Sequence, residues 1–479
     1  MRPLSNLILL TLTSALSALS TGTGYDTSSF KPEDIITRDI AIIGGGSSGT
    51  HAAIALKDKG KSILVIEQKG RLGGHTETYT DPTTGSAVDQ GVIIFHNIST
   101  VRNYFQRLNI PLAPNTFAAP RSLDYDLRTG RQVNITRPGP EALGAALQKY
   151  AGFLAQYPEL DHGMFLPSPV PEDLTIPFGE FAIKYGIQNV IPTMFTTNQG
   201  VGDMLSLPFV ENQRGNGLSL VQQLATGGFV TTQRHNNSEL YAAAQAELDA
   251  DDSLLLSSTV IDSSRSDECV ELIVHTPEGK KLVRASKLLI TIPPHPTILK
   301  PFDLSDAETA IFEKFEWTNY VTSLVTDTGL PDDLFISNVA AETQYSLPPL
   351  PGIYLIQPTV IPGVKAIYYS TLPSHITLPT SEEEVKADIV AALKRLQAAN
   401  PTLYKQTEPR FITFSSHAPF YARVGSKEIK DGFYDELYKL QGQRGTWWTG
   451  ATWRAQDSSM IWRFNEEIVV PGLLGEIEG

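Results

Sequence analysis

The residues best placed to do chemistry lie in the stretch DIAIIGGGSSGT, residues 39–50. Gly44, Gly46 and Gly49 stand in the spacing G-x-G-x-x-G, behind an apolar run and among small hydroxyl residues. In that spacing the first glycine permits a tight turn after a strand. The second lets a pyrophosphate approach the backbone, and the third lets a helix pack closely on the strand. The phosphates then rest on free N–H groups of the helix N-terminus, where Ser48 sits. The motif alone is weak evidence. Here it also has Glu67, 23 residues after Gly44, where a carboxylate accepts hydrogen bonds from a ribose 2′-OH.

The elements that must position these residues are legible as β, then α, then β. Ile40–Ile43 reads as a buried strand, Thr50–Lys59 as a short helix, and Ser62–Ile66 as a second strand ending at Glu67. A right-handed crossover of this kind makes the sheet parallel. Residues 100–108 look helical. In PEALGAALQKYAGFL (140–154), Leu143, Leu147, Tyr150 and Leu154 share one helical face. Further helices follow, broken by Pro177 and Pro192, and are expected to form an insertion over a ligand cavity. A helix is expected at 238–248 and a strand at 253–264. ECVELIVHT and KLVRA read as a hairpin, followed by a separate buried strand in KLLITIPP (287–294). More β patterns run from 315 to 372. Ser381 and Glu384 have capping-box spacing ahead of a helix that Asn400-Pro401 ends. GTWWTGATW reads as a strand entering a glycine turn.

The bulk properties narrow the class. A chain of 479 residues suits two or three domains. Its composition, 41% hydrophobic and 19% charged, is that of a folded protein. A net charge of −14 leaves no basic excess for a nucleic-acid partner. Residues 1–20 have a charged start, a short apolar run and small residues at Ala18 and Ser20. This predicts a signal peptide and a secreted protein. No later segment is apolar for long enough to predict a membrane span. Cys269 is the one cysteine, and is expected to be a buried small hydrophobe. Sequons at Asn97, Asn134 and Asn236 fit a secretory route, although Asn97 sits in an apolar run and is expected to be hidden. No metal-ligand cluster is expected, and no G-x-S-x-G is present.

Beyond Glu67 and Gln68 comes Arg71-Leu72-Gly73-Gly74-His75-Thr76. A nicotinamide domain does not need a second glycine pair beside the first. A flavin dinucleotide, bound in extended form, needs this further close backbone approach. The run GGGSSG…EQKGRLGGHTET resembles the opening of the FAD-dependent amine oxidase-like flavoproteins. Within them the likeness is closest to the secreted fungal β-cyclopiazonate dehydrogenase-like group. The resemblance implies a Rossmann-type FAD-binding domain, a mixed α+β substrate domain and a helical insertion. It implies FAD contacts from Gly44, Gly46, Ser48, Gly49, Glu67, Gln68, Arg71, Gly73, Gly74 and His75. It adds the backbone of Val260 beside the adenine, and Gly450 and Ala451 near the ribityl and pyrophosphate. It places VDQGVIIFH (88–96) near the flavin ring.

Two departures from the family matter. His75 stands where many amine oxidases have arginine, either as a contact or as a covalent anchor of the flavin. The stretch TNYVTSLVTD (318–327) carries no lysine where many members place one opposite the flavin. His96 is a candidate base, or equally a core histidine. Phe420 and Tyr421 are candidates for the walls around a flat substrate, or for core. The expected FAD domain is 37–115, 225–310 and 410–475, and the expected substrate domain is 116–224 and 311–409. The expected activity is hydride removal from a C–N or C–H bond of a small, fairly apolar, nitrogen-containing secondary metabolite, with oxygen or another acceptor taking the electrons. A flavin-dependent double-bond isomerase or desaturase on a lipid-like substrate and a non-catalytic flavoprotein are the alternatives.

Overall fold

The computed structural model describes residues 26–115, 120–374 and 381–478. The expected signal peptide lies outside these residues. Strand β1 (Ile35–Ile43) leads through Gly44 into helix α1 (Ser47–Lys57), and β2 (Ile63–Ile66) follows. β1 pairs in parallel with β2 and with the strand Gly279–Ile290. Its last four residues are buried, as the unbroken apolar run demands of a parallel strand covered on both faces.

Seven strands form this first sheet. The order is Thr259–Arg265, Val270–Thr276, Gly279–Ile290, β1, β2 and Leu254–Leu255, with Thr446–Trp448 also paired to Gly279–Ile290. The arm KLVRA and the run KLLI are thus one continuous strand rather than two. Its first part is antiparallel to Val270–Thr276, and along its length it pairs in parallel with β1. The stretch expected as one strand over 253–264 is instead broken. Ser257 has φ 49, and the N–H groups of Ser257 and Ser258 donate to the carbonyls of Lys69 and Glu67. The chain leaves the sheet there to brace the loop after Glu67.

A second seven-stranded sheet runs Arg410–His417, Tyr320–Thr326, Val364–Ser370, Gly352–Pro358, Leu334–Asn338, Arg121–Asp126 and Arg131–Gln132. The helix Glu382–Ala399 packs on it through Val385, Ile389, Leu393 and Leu396. Its capping box at Ser381 and Glu384 is formed. Arg410–His417 hydrogen-bonds along Tyr320–Thr326, so residues 410–417 belong to the second sheet, not to the nucleotide-binding part. A helical layer spans Pro140–Leu154, Phe178–Tyr185, Ile191–Thr197, Phe209–Gly215 and Leu218–Thr226. Its core is aromatic: the Phe181 and Phe209 rings meet at 3.9 Å with a 31° tilt, and Phe153 meets Phe181 edge-on at 4.7 Å.

Two surface expectations are corrected. Cys269 is exposed, because the polar turn Ser266-Asp267-Glu268 carries it clear of the sheet. Asn97 is exposed too, at the start of a helix rather than inside the apolar run, and its Oδ1 accepts from Arg102. Among the described residues no helix is long and apolar enough to cross a membrane.

Candidate cofactor and substrate cavity

The turn after β1 builds one end of a cavity. A Cβ on Gly49 would stand 1.9 Å from the carbonyl oxygen of Gly44, so only glycine lets α1 start this close to the strand. Gly46 caps α1 without any side-chain hydrogen bond. The first-turn N–H groups are therefore left for a ligand, as an anion at a positive helix end requires. Glu67 closes this end from β2. Its Oε2 accepts from Gly45 N–H at 2.6 Å and its Oε1 from Lys69 N–H at 2.7 Å. Each oxygen keeps a further lone pair for a hydroxyl donor.

The second glycine pair lies against the first. A Cβ on Gly74, whose φ is +56, would press within 2.9 Å of Gly46 Cα. Strands β3 (Thr76–Thr80) and β4 (Ala87–Gly91) then lead the chain away and back. The C-terminal segment supplies the opposite wall. Thr449 donates to Asn465 Oδ1 at 2.5 Å, Ser48 and Thr449 hydroxyls lie 3.0 Å apart, and Asn465 Nδ2 donates to the Ser48 carbonyl at 3.0 Å. This buried knot ties Thr449, and with it Gly450 and Ala451, to α1.

The result is one cavity of about 330 Å³. Gly44, Gly46, Ser48, Glu67, Gln68, Gly73, Gly74, His75, Gly450 and Ala451 all line it. Tyr320 and His417 of the second sheet line it as well, with Phe420 from the segment after His417. The rings form a ladder. His75 and His417 stack at 4.1 Å with an 11° interplanar angle, and Tyr320 meets Phe420 at 5.0 Å and His417 at 5.7 Å. Burial, then the neighbouring His75 and Lys69, push the His417 pKa well below the usual value. Packing on the protein side, with the cations Lys69 and Arg71 nearby, lowers that of His75. Both rings are neutral at neutral pH.

Several expected site residues lie elsewhere. Gly49 lies in the first turn of α1, where its missing side chain lets the helix pack on the strand, and it does not itself line the cavity. Arg71 is off the cavity. Its guanidinium donates to the carbonyls of Leu72 and Thr76 and pairs with Glu77 at 2.6 Å, so it staples the glycine loop from behind. Val260, expected to face the adenine through its backbone, packs its side chain in the core. Tyr421 is buried, its hydroxyl donating to the Glu211 carbonyl at 2.6 Å while the Arg214 guanidinium lies 5.2 Å from its ring. It is core, not a substrate wall. Among the three tryptophans near Gly450, Trp448 and Trp453 are fully buried packing residues.

His96 is also buried behind the wall. Its Nδ1 lies 2.7 Å from Ser219 Oγ and its Nε2 3.1 Å from Asp457 Oδ2. It is Asp457 that lines the cavity. Burial would raise the Asp457 carboxyl, but the His96 ring and the Met460 N–H outweigh it and hold the pKa at about 2. His96 thus acts only through this carboxylate.

Tyr320, His417, Gln456 and Asp457 are lining residues that sequence reasoning missed. Asp457 carried a signal, since Asp ahead of SSMIW is an N-cap pattern, and its side chain does cap that helix. Tyr320 and His417 carried none, because their meeting depends on strand pairing between residues almost a hundred positions apart.

The residues present fit a dinucleotide with a ring at its far end. They offer uncapped helix N–H groups for phosphate, a carboxylate for ribose, paired glycines where a backbone must approach, and an aromatic ladder beyond. Comparisons with known proteins agree. Residues 42–108 match the NAD(P)-binding Rossmann-like domain family. The chain is 46% identical over 466 residues to the FAD-dependent oxidoreductase oblC of Cochliobolus heterostrophus, covering 97% of this chain and 96% of that protein. It is 36% identical over 441 residues to a β-cyclopiazonate dehydrogenase of Aspergillus oryzae, covering 91% and 93%. In fold it is similar to a CLA-producing fatty acid isomerase from P. acnes, with TM-score 0.73 and 18% identity over 91% of this chain and 98% of that one. A putrescine oxidase is similar at TM-score 0.63 and 15% identity, over 92% of this chain and 100% of that one.

Proposed function

Because this chain belongs to the family of FAD-dependent oxidoreductases that includes these relatives, we propose that it removes a hydride from a C–N or C–H bond of a small, fairly apolar metabolite. The observation that carries this reading is the single cavity in which the nucleotide-binding glycines and the ring ladder of the second sheet meet. The bound FAD supplies a two-electron acceptor. Gly44, Gly46, Ser48, Glu67, Gly73, Gly74, Gly450 and Ala451 would hold it. The chain itself binds the substrate against Phe420 and Tyr320, orients it, and excludes water on that side through the second sheet.

A nitrogen-containing secondary metabolite is the substrate class this reading favours, supported by the likeness to β-cyclopiazonate dehydrogenases. Oxygen or another small acceptor takes the electrons onward. Secretion is part of the same proposal, supported by residues 1–20 and by the exposed sequon positions Asn97 and Asn134. Secretion is tested by expression in a eukaryotic host. The glycan-sensitive form then appears in the medium, and retention of the whole product in the cell argues against it.

A specific observation favours a second reading. The strand Tyr320–Thr326 carries no lysine toward the cavity, so double-bond isomerisation without net oxidation is its rival. Oxygen consumption during turnover separates the two, since an oxidase consumes it and an isomerase does not. The first test of the cofactor site is the visible spectrum of the purified protein. Flavin bands are expected, and a protein that stays colourless with added FAD overturns the proposal.

A further inference from the structure

Of the titratable side chains that line the cavity, almost all are committed. Glu67 accepts two backbone N–H groups, and Asp457 is paired with His96 and the Met460 N–H. The Lys69 ammonium binds Glu77 at 2.9 Å and the Gly74 carbonyl at 3.1 Å. The Tyr320 hydroxyl donates to Gln199 at 2.6 Å. His75 differs. Its ring is exposed to the cavity, and among the described residues neither of its nitrogens has a hydrogen-bond partner.

His417 holds that ring in place. It stacks on His75 from the second sheet, and Ser415 Oγ lies 3.2 Å from its Nε2. Gly91 leaves the room for both. A Cβ there would stand 2.3 Å from the His75 carbonyl oxygen and 2.9 Å from His417 Cε1. The histidine thus sits where the nucleotide-binding half meets the substrate half, its ring lining the space between them.

We propose that His75 takes the proton that leaves the substrate during oxidation, and that His417 is the positioning residue that presents its ring to the cavity. This rests on the proposed function. In the step, a substrate C–H bond breaks and its hydrogen leaves with both electrons to the oxidant of the family's activity. A neighbouring N–H, O–H or C–H bond gives its hydrogen to the imidazole as a proton, and the electron pair left behind forms the new double bond. The imidazolium then returns the proton to water. The charges facing the pair are Lys69 and Arg71, which oppose protonation, and Glu77, which favours it. His417 opposes it as well, since two stacked imidazoles do not both carry charge. The base is therefore a strong proton donor once charged, and passes its proton on readily.

The test needs no substrate. Bound FAD is reduced electrochemically across the pH range, and the number of protons taken up per two electrons is read from the dependence of the midpoint potential on pH. With His75 as acceptor, the negative charge of the reduced flavin raises the imidazole pKa, so in the window between its values in the oxidised and reduced states, bounded by a break at each, the wild type takes up one proton more per two electrons than the flavin alone accounts for. His75→Gln and His75→Asn lose that proton, whereas His417→Gln keeps it and moves both breaks upward, because the opposing neighbour is gone. An unchanged proton count in both His75 variants overturns the proposal. So does flavin colour that stays in the acid-precipitated pellet of the wild type but not of H75Q, because that places the flavin itself on the imidazole. Failure of the wild type to bind FAD overturns the functional reading as well, and a normal spectrum with an unchanged count overturns only the role of His75.

Discussion

At the residue scale two carboxylates carry separate tasks. Glu67 presents charge to the Gly45 and Lys69 N–H groups and has lone pairs to spare. Glu67→Gln replaces one acceptor oxygen by a donor, so one of those N–H groups loses a charged partner. Such bonds contribute roughly 1.5–3 kcal/mol. FAD affinity is expected to fall about 10- to 100-fold, read by titrating the apoprotein and following flavin fluorescence. Asp457 contributes to stability instead. Its folded pKa of about 2 lies below the ordinary carboxyl value of 3.8. The contribution is therefore complete above pH 4 and is lost as pH falls toward 2. Urea unfolding at pH 5 and pH 3 is expected to show a larger loss for the wild type than for Asp457→Asn. The full contribution is on the order of 2 kcal/mol, and equal losses contradict the pairing with His96.

At the element scale the C-terminal wall is held by one buried guanidinium. Arg214 donates to the carbonyls of Ala422, Ala451, Thr452 and Arg454 and pairs with Glu211 at 2.9 Å. Glu211 in turn accepts from Val424 N–H at 3.0 Å and from the Tyr434 hydroxyl. The helix Phe209–Gly215 thus fixes the turn after Gly450 across the domain boundary. Arg214→Met leaves Glu211 charged and buried, a loss of about 3–5 kcal/mol. Chemical denaturation is expected to show it, with weaker FAD retention alongside. Adding Glu211→Gln restores part of the stability but not the FAD retention, since the four carbonyls remain without their donor. A double variant as unstable as R214M alone speaks against the charge argument.

At the scale of the whole molecule, the Rossmann unit was legible because its evidence is local. The apolar run of β1, the glycine spacing and Glu67 all fall within 30 residues, and the structure places each of them as the pattern required. The helical layer and the capped helix at Glu382 were legible for the same reason. What local patterns do not encode is which strand borders which. The sequence groups residues 410–417 with the FAD domain, because only pairing with Tyr320–Thr326 places them in the second sheet. Tyr421 and Phe420 are adjacent in sequence, yet one is core and the other lines the cavity. His96 reads from the sequence as a candidate base or a core histidine, and no local pattern shows the carboxylate that stands between it and the cavity. The chain's end matters as much as its start. Trp462, Phe464, Val469 and Leu473 are all buried in the main core. At about 1.5–3 kcal/mol each they supply about 6–12 kcal/mol, comparable to a domain's whole stability. A chain ending before Ser458 is expected to show no cooperative thermal transition by circular dichroism, and a sharp melt disproves this.

The knot of Ser48, Thr449 and Asn465 joins residues separated by some 400 positions of chain. Synthesis at about 5–20 residues per second takes roughly 20–80 s to cover that distance. During that interval the nucleotide-binding turn has emerged while its opposite wall has yet to be made. The nascent protein has no complete receptacle for its cofactor until Asn465 has emerged, and loading follows that point. A chain threaded through a membrane as it is made would meet its flavin only on the far side, so the compartment where the last helix docks must hold free FAD.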